Sequence, residues 1–123
     1  MTELASMTLA PITRDQVQQY GEAVGDFNPI HFDPDFARKA GLPDTVVHGP
    51  LTVAKIADVL VSQLGIDALL NLDVRLRAPV FPDEQLAVEG ADYGVKVTKA
   101  DGTVAATGVV IVRDDEPGVE PPA

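Results

Sequence analysis

The sequence contains no cysteine. That absence excludes disulfides, a thiol nucleophile and a thiolate metal site, and says little about compartment. Positive charge is also scarce, with 9 Lys+Arg against 19 Asp+Glu and a net charge of −10. Such a balance disfavours nucleic acid as a partner, because phosphate binding needs a basic face. An anionic small molecule would need a local basic cluster. Arg75 and Arg77, with Lys55, Arg38 and Lys39, are the densest candidates, and solvated strand and helix faces explain them equally well. No apolar run approaches the roughly 20 residues of a membrane span, and the N-terminus lacks a secretory signal pattern. A soluble, cytoplasmic protein without a membrane partner is therefore expected. Histidine is rare as well: His31 and His48 are the only two.

What is present fits one domain. The 123 residues are 46% hydrophobic, enough for one core and too few for two. A larger cleft would then need a partner chain. Residues 1–113 read as a single domain. Residues 114–123 are acidic and proline-rich and read as a disordered tail.

Met1 to Pro11 has the mixed pattern of an edge strand. Thr13 and Gln16 have capping-box spacing, and they open a helix over Arg14 to Val24 with Val17, Tyr20 and Val24 on one face. Asp33 reads as an N-cap with Pro34 at the first helical position, giving a short helix that ends near Gly41. Pro50 to Leu64 is the strongest helical pattern, and its apolar residues cover most of the circumference, which predicts extensive burial. The period then changes to two. Leu70, Leu72, Val74, Leu76 and Ala78 alternate with polar residues as in a half-buried strand. Val80 to Glu84 turns the chain. Gln85 to Tyr93, Val95 to Ala100 and Thr103 to Arg113 read as further strands, the last two joined at Asp101-Gly102. The pattern implies an α+β fold, with an antiparallel sheet curved around one buried helix.

The chemistry concentrates in Asp26-Phe27-Asn28-Pro29-Ile30-His31. Proline pushes Asn28 out of the helical region, so the segment is a rigid bend. An acid, an amide and a histidine in one bend are costly to bury without partners. They either cap turns and fill a pocket edge, or form an acid–base pair suited to neutral pH. Gly49, after His48, stands where the long helix begins. Free N–H groups there serve an oxyanion or merely close a tight turn. His31, Asp33 and His48 also have the composition of a two-histidine, one-carboxylate metal set, although Asp33 is explained as a cap. Thr52 and Ser62 lie on the long helix outside any nucleophile motif and read as structural.

Taken together, these segments resemble the MaoC-like, (R)-specific enoyl-CoA hydratase family. The resemblance rests on Asp26-Phe27-Asn28-Pro29-Ile30-His31, on Val47-His48-Gly49-Pro50-Leu51, and on Leu76 to Glu84, in that order. It implies a hot-dog fold, with the sheet wrapped around the central helix, and a dimer with two sheets joined edge to edge. It implies reversible hydration of a trans-2-enoyl thioester to an (R)-3-hydroxyacyl thioester, on CoA or acyl carrier protein. Asp26 and His31 would activate the water, Asn28 would orient the loop or the water, and the Gly49 N–H would hold the thioester oxygen. No metal or other cofactor is implied. The chain departs from the family pattern at Val24, where many members carry Ser or Thr, and at Pro50, where Met is usual. Ala54 and Ala57 replace frequent serines and would widen the acyl pocket, and the same helix carries Lys55. A hot-dog thioesterase and a subunit of a heteromeric dehydratase are the alternative readings.

Overall fold

Thr13 and Gln16 close a reciprocal cap. The Gln16 N–H donates to Thr13 Oγ1 at 3.1 Å, and the Thr13 N–H donates to Gln16 Oε1 at 3.2 Å. Two of the unpaired donors at a helix start are thereby satisfied. The computed structural model describes residues 6–91 and 94–113. The expected tail at 114–123 lies outside them, as do the first five residues and Asp92 and Tyr93.

Helix α1 spans Arg14–Val24 and ends on Gly25 in the left-handed conformation, φ 73°. A 3₁₀ turn, Pro29–His31, leads to α2, Pro34–Lys39, and then to α3, Gly49–Leu64. The strands are β1 (Met7–Leu9), β2 (Leu69–Leu76), β3 (Leu86–Ala91), β4 (Gly94–Lys99) and β5 (Val104–Val112). They form one five-stranded sheet of order β1-β3-β4-β5-β2, antiparallel throughout. The Asp101-Gly102 turn joins β4 to β5, with the Gly102 N–H donating to Lys99 O and the Thr103 N–H to Asp101 Oδ1.

Register places Val97 between Val88 and Ala106, and Val95 between Gly90 and Gly108; Val88, Val95, Val97 and Ala106 are buried. Helix α3 packs against β1 and β2 and adds Leu51, Ile56 and Leu60 to the same core. Two expectations change here. Helix α3 buries a stripe of Leu51, Thr52, Ile56 and Leu60 rather than its whole circumference, with Ala54, Asp58 and Ser62 exposed. Val24 is 54% exposed, because α1 turns Val17 and Gly21 inward and Val24 is its last residue, one turn beyond the buried stretch. No helix among the described residues is long and apolar enough to cross a membrane.

Candidate active site

The Asp26 loop is built by short-range hydrogen bonds. Its N–H donates to Gly21 O at 3.0 Å. Asp26 Oδ1 accepts the Asn28 N–H at 3.2 Å, and Asn28 Oδ1 accepts the Ile30 N–H at 3.1 Å. Asn28 thus caps the 3₁₀ turn that carries His31.

His31 is fixed from the opposite side. Its Nδ1 lies 2.7 Å from Val46 O. A carbonyl only accepts, so Nδ1 carries a proton, and in the neutral ring Nε2 is the nitrogen that presents a lone pair. That Nε2 lies 3.9 Å from Asp26 Oδ2, and the side chains of His31 and Asp26 are 13% and 47% exposed. The loop therefore brings together the acid and the imidazole singled out in the sequence.

The structure adds His48 to them. The His31 and His48 rings stack with centroids 3.8 Å apart and planes inclined by 24°. His48 Nε2 is 3.4 Å from the Asp26 main-chain oxygen and 4.0 Å from Asp26 Oδ2. Tyr20 and Phe32 pack around the same ring at 4.9 and 5.7 Å. Burial lowers the His48 pKa below the ordinary 6.5. The Asp26 carbonyl and carboxylate pull it back up, and His31 pushes it further down. Near pH 7 this favours the neutral ring, and the contact with the Asp26 carbonyl, which only accepts, places its proton on Nε2. The His-Gly pair drew attention to Gly49, but nothing local showed that the preceding imidazole would stack on a residue 17 positions earlier.

Gly49 opens α3, with His48 as the cap residue. Its N–H has no acceptor among the described residues. Gly49 and His31 line one open cleft of about 490 Å³, walled by Thr52, Leu76, Arg77 and Val80. Thr52 is structural there, its hydroxyl donating to His48 O at 3.4 Å. Ala54 and Ala57 are not among the residues that line this cleft.

The metal set read from the sequence is corrected as well. Asp33 Oδ1 accepts the Asp35 and Phe36 N–H groups and caps α2. Asp26 takes its place, with one ligand atom each from Asp26, His31 and His48 lying within 4.8 Å of one another. A cation would need the His48 Nε2 lone pair. That requires moving its proton to Nδ1, which is buried and has no partner. His31 Nε2 and the carboxylate remain as ready donors, so the set does not fit a resident metal well.

The five-stranded antiparallel sheet packed on the central helix α3 is a hot-dog fold, with an acid–imidazole pair at a cleft beside the helix start. The comparison with known proteins agrees. The chain belongs to the MaoC like domain family, which matches residues 3–113. It is 34% identical over 102 residues to the peroxisomal hydratase-dehydrogenase-epimerase of Saccharomyces cerevisiae, covering 83% of this chain and 11% of that protein. It is 29% identical over 72 residues to the mitochondrial 3-hydroxyacyl-[acyl-carrier-protein] dehydratase of Arabidopsis thaliana, covering 58% of this chain and 43% of the relative. The chain thus spans less than half the length of either relative. Among solved structures, the (R)-hydratase of A. caviae, involved in PHA biosynthesis, superposes with a TM-score of 0.74 at 25% identity, over 91% of this chain and 96% of that one.

Proposed function

We propose that this chain hydrates a trans-2-enoyl thioester to an (R)-3-hydroxyacyl thioester, and catalyses the reverse dehydration. The observation that carries the reading is the 3.9 Å gap between Asp26 Oδ2 and His31 Nε2. A water about 2.8 Å from each would donate a hydrogen bond to both, at an angle of roughly 90°. One water proton passes to the pair as the oxygen bonds to C3. The C2–C3 π electrons shift toward the thioester, building charge on its oxygen. The Gly49 N–H at the start of α3 stabilises that charge. The proton held by the pair then returns to C2 on the same face, so one water is consumed.

The substrate is an acyl thioester on CoA or acyl carrier protein, with its acyl part in the apolar cleft. The assembly would be a homodimer, or a heteromer with a second hot-dog chain, paired along β2. Support comes from Leu70 and Leu76 on that edge strand and from Val109 and Ile111 on β5, which leave large apolar side chains exposed.

The test is loss of the conjugated enoyl signal when the purified protein meets short, long and polycyclic trans-2-enoyl-CoAs. Asp26→Asn and His31→Ala should abolish that loss. A panel left unchanged by the protein, alone and with candidate partner chains, would overturn the assignment. Release of free thiol from a saturated acyl-CoA would instead identify a thioesterase.

A further inference from the structure

His48 has a side chain that its helix does not use. It occupies the cap position of α3 without making a side-chain cap bond, where Ser, Thr, Asp or Asn would serve. The side chain is 1% exposed, and Nδ1 has no partner among the described residues. Were the residue only filling the core, a phenylalanine or leucine would do so without leaving a buried nitrogen unpaired.

The ring makes one directed contact. Nε2–H points at the main-chain oxygen of Asp26, 3.4 Å away, while the ring face lies on His31. Through its own main chain, His48 O accepts the Thr52 N–H at 3.1 Å and the Thr52 hydroxyl at 3.4 Å. Those bonds anchor the first turn of α3, which begins at Gly49. We propose that His48 is a positioning residue that ties the Asp26 loop and the His31 ring to the Gly49 end of α3, through Nε2–H donation to the Asp26 carbonyl. The inference rests on the hydratase reading and deepens it. A neutral ring against His31 also leaves His31 free to take up a proton during turnover, whereas a second cation 3.8 Å away would oppose it.

His48 does not line the cleft, so it acts on the geometry of the pair rather than on substrate binding. Two variants separate donor from ring. His48→Phe keeps a flat ring on His31 and removes the donor. His48→Gln keeps an N–H at about the same reach and removes the ring. With a trans-2-enoyl-CoA, His48→Phe should lower kcat by about 30-fold with KM within about twofold, and His48→Gln should recover to within about fivefold of the unmodified protein. Unchanged kcat in His48→Phe, or equal losses in both variants, would overturn the proposal.

A second arm needs no variant to fold. Long-range ¹H–¹⁵N NMR of the unmodified protein near neutral pH should show His48 as the neutral Nε2–H tautomer and His31 as the Nδ1–H tautomer. An Nδ1–H or doubly protonated His48 would overturn the proposal. A wild-type protein inert toward every enoyl thioester would sink the functional reading instead, and the tautomers would still decide whether His48 holds the loop.

Discussion

Gly21 and Asp26 are joined by their main chains. The Asp26 N–H donates to Gly21 O at 3.0 Å, and a methyl built on Gly21 would stand 2.9 Å from the Asp26 carbonyl oxygen and 2.6 Å from Phe32 Cζ. The last turn of α1 is therefore the surface on which the Asp26 loop rests. The missing side chain at Gly21 lets loop and aromatic ring settle there.

Gly21→Ala should damage the site more than the fold. Alanine is better than glycine inside a helix by about 1 kcal/mol, whereas overpacking against a backbone oxygen costs about 1–3 kcal/mol. The net change is expected to be a destabilisation of about 1 kcal/mol, read by urea unfolding. Turnover of an enoyl thioester should fall by about tenfold or more, because the loop must move away and carry Asp26 from His31. A stabilised variant with full turnover would contradict this account.

Gly49→Ala tests the other side of the cleft. A methyl there would meet Leu76 Cδ1 at 2.7 Å, but Leu76 is 48% exposed on the edge strand β2. Its side chain can rotate away at a cost of about 1 kcal/mol or less. The N–H survives the substitution, so kcat should hold to within about threefold while KM rises as the cleft narrows. Gly49→Ala combined with Leu76→Ala should return KM toward the original value. An additive rise in KM for the double variant would show that the two side chains do not compete for this space.

Local rules carried most of the architecture. Thr13 with Gln16, Asp33 before Pro34, and Asp101-Gly102 each act within a few residues, so their consequences could be read from adjacent letters. The acid–imidazole pair was legible for the same reason, since Asp26 and His31 share one bend. The role of His48 was not, because its stacking on His31 depends on how α3 docks beside the loop. Nor was Gly21, whose value lies in the space it leaves for Phe32. Val24 was misread because helical periodicity shows that it shares a face with Val17 but not where along α1 that face leaves the core.

Lys99 should prove a structural pin of the cleft wall. It is 9% exposed and lies 3.1 Å from Glu84 Oε2. It also donates to Pro79 O at 2.6 Å and sits 4.7 Å from the centre of the Phe81 ring. Three elements of the Pro79 to Glu84 turn therefore converge on one ammonium. Removing one member of a mostly buried pair leaves the other without its counter-charge. Lys99→Ala is expected to cost about 2–3 kcal/mol. Lys99→Met, which keeps the apolar stem, should recover less than half of that if charge dominates. Recovery of nearly all of it would show that packing dominates.

Stability should also depend on pH through His48. Burial holds its folded-state pKa below 6.5, with Asp26 and His31 acting in opposite directions. Below 6.5 the unfolded chain therefore protonates His48 before the folded protein does. The unfolded state then binds more protons, and stability rises with pH across that window. The contribution is complete above 6.5 and is lost as pH falls toward the folded-state pKa. The slope from this one group is at most about 1.4 kcal/mol per pH unit. Urea unfolding from about pH 7.5 to about pH 5.5 should show the decline, and His48→Gln should flatten it. The Asp44 carboxylate, held below its usual range by hydrogen bonds from Arg14 and the Thr45 main chain, loses its contribution only in more acidic solution, as pH falls below the ordinary 3.8. A decline that survives unchanged in His48→Gln would assign the window to another group.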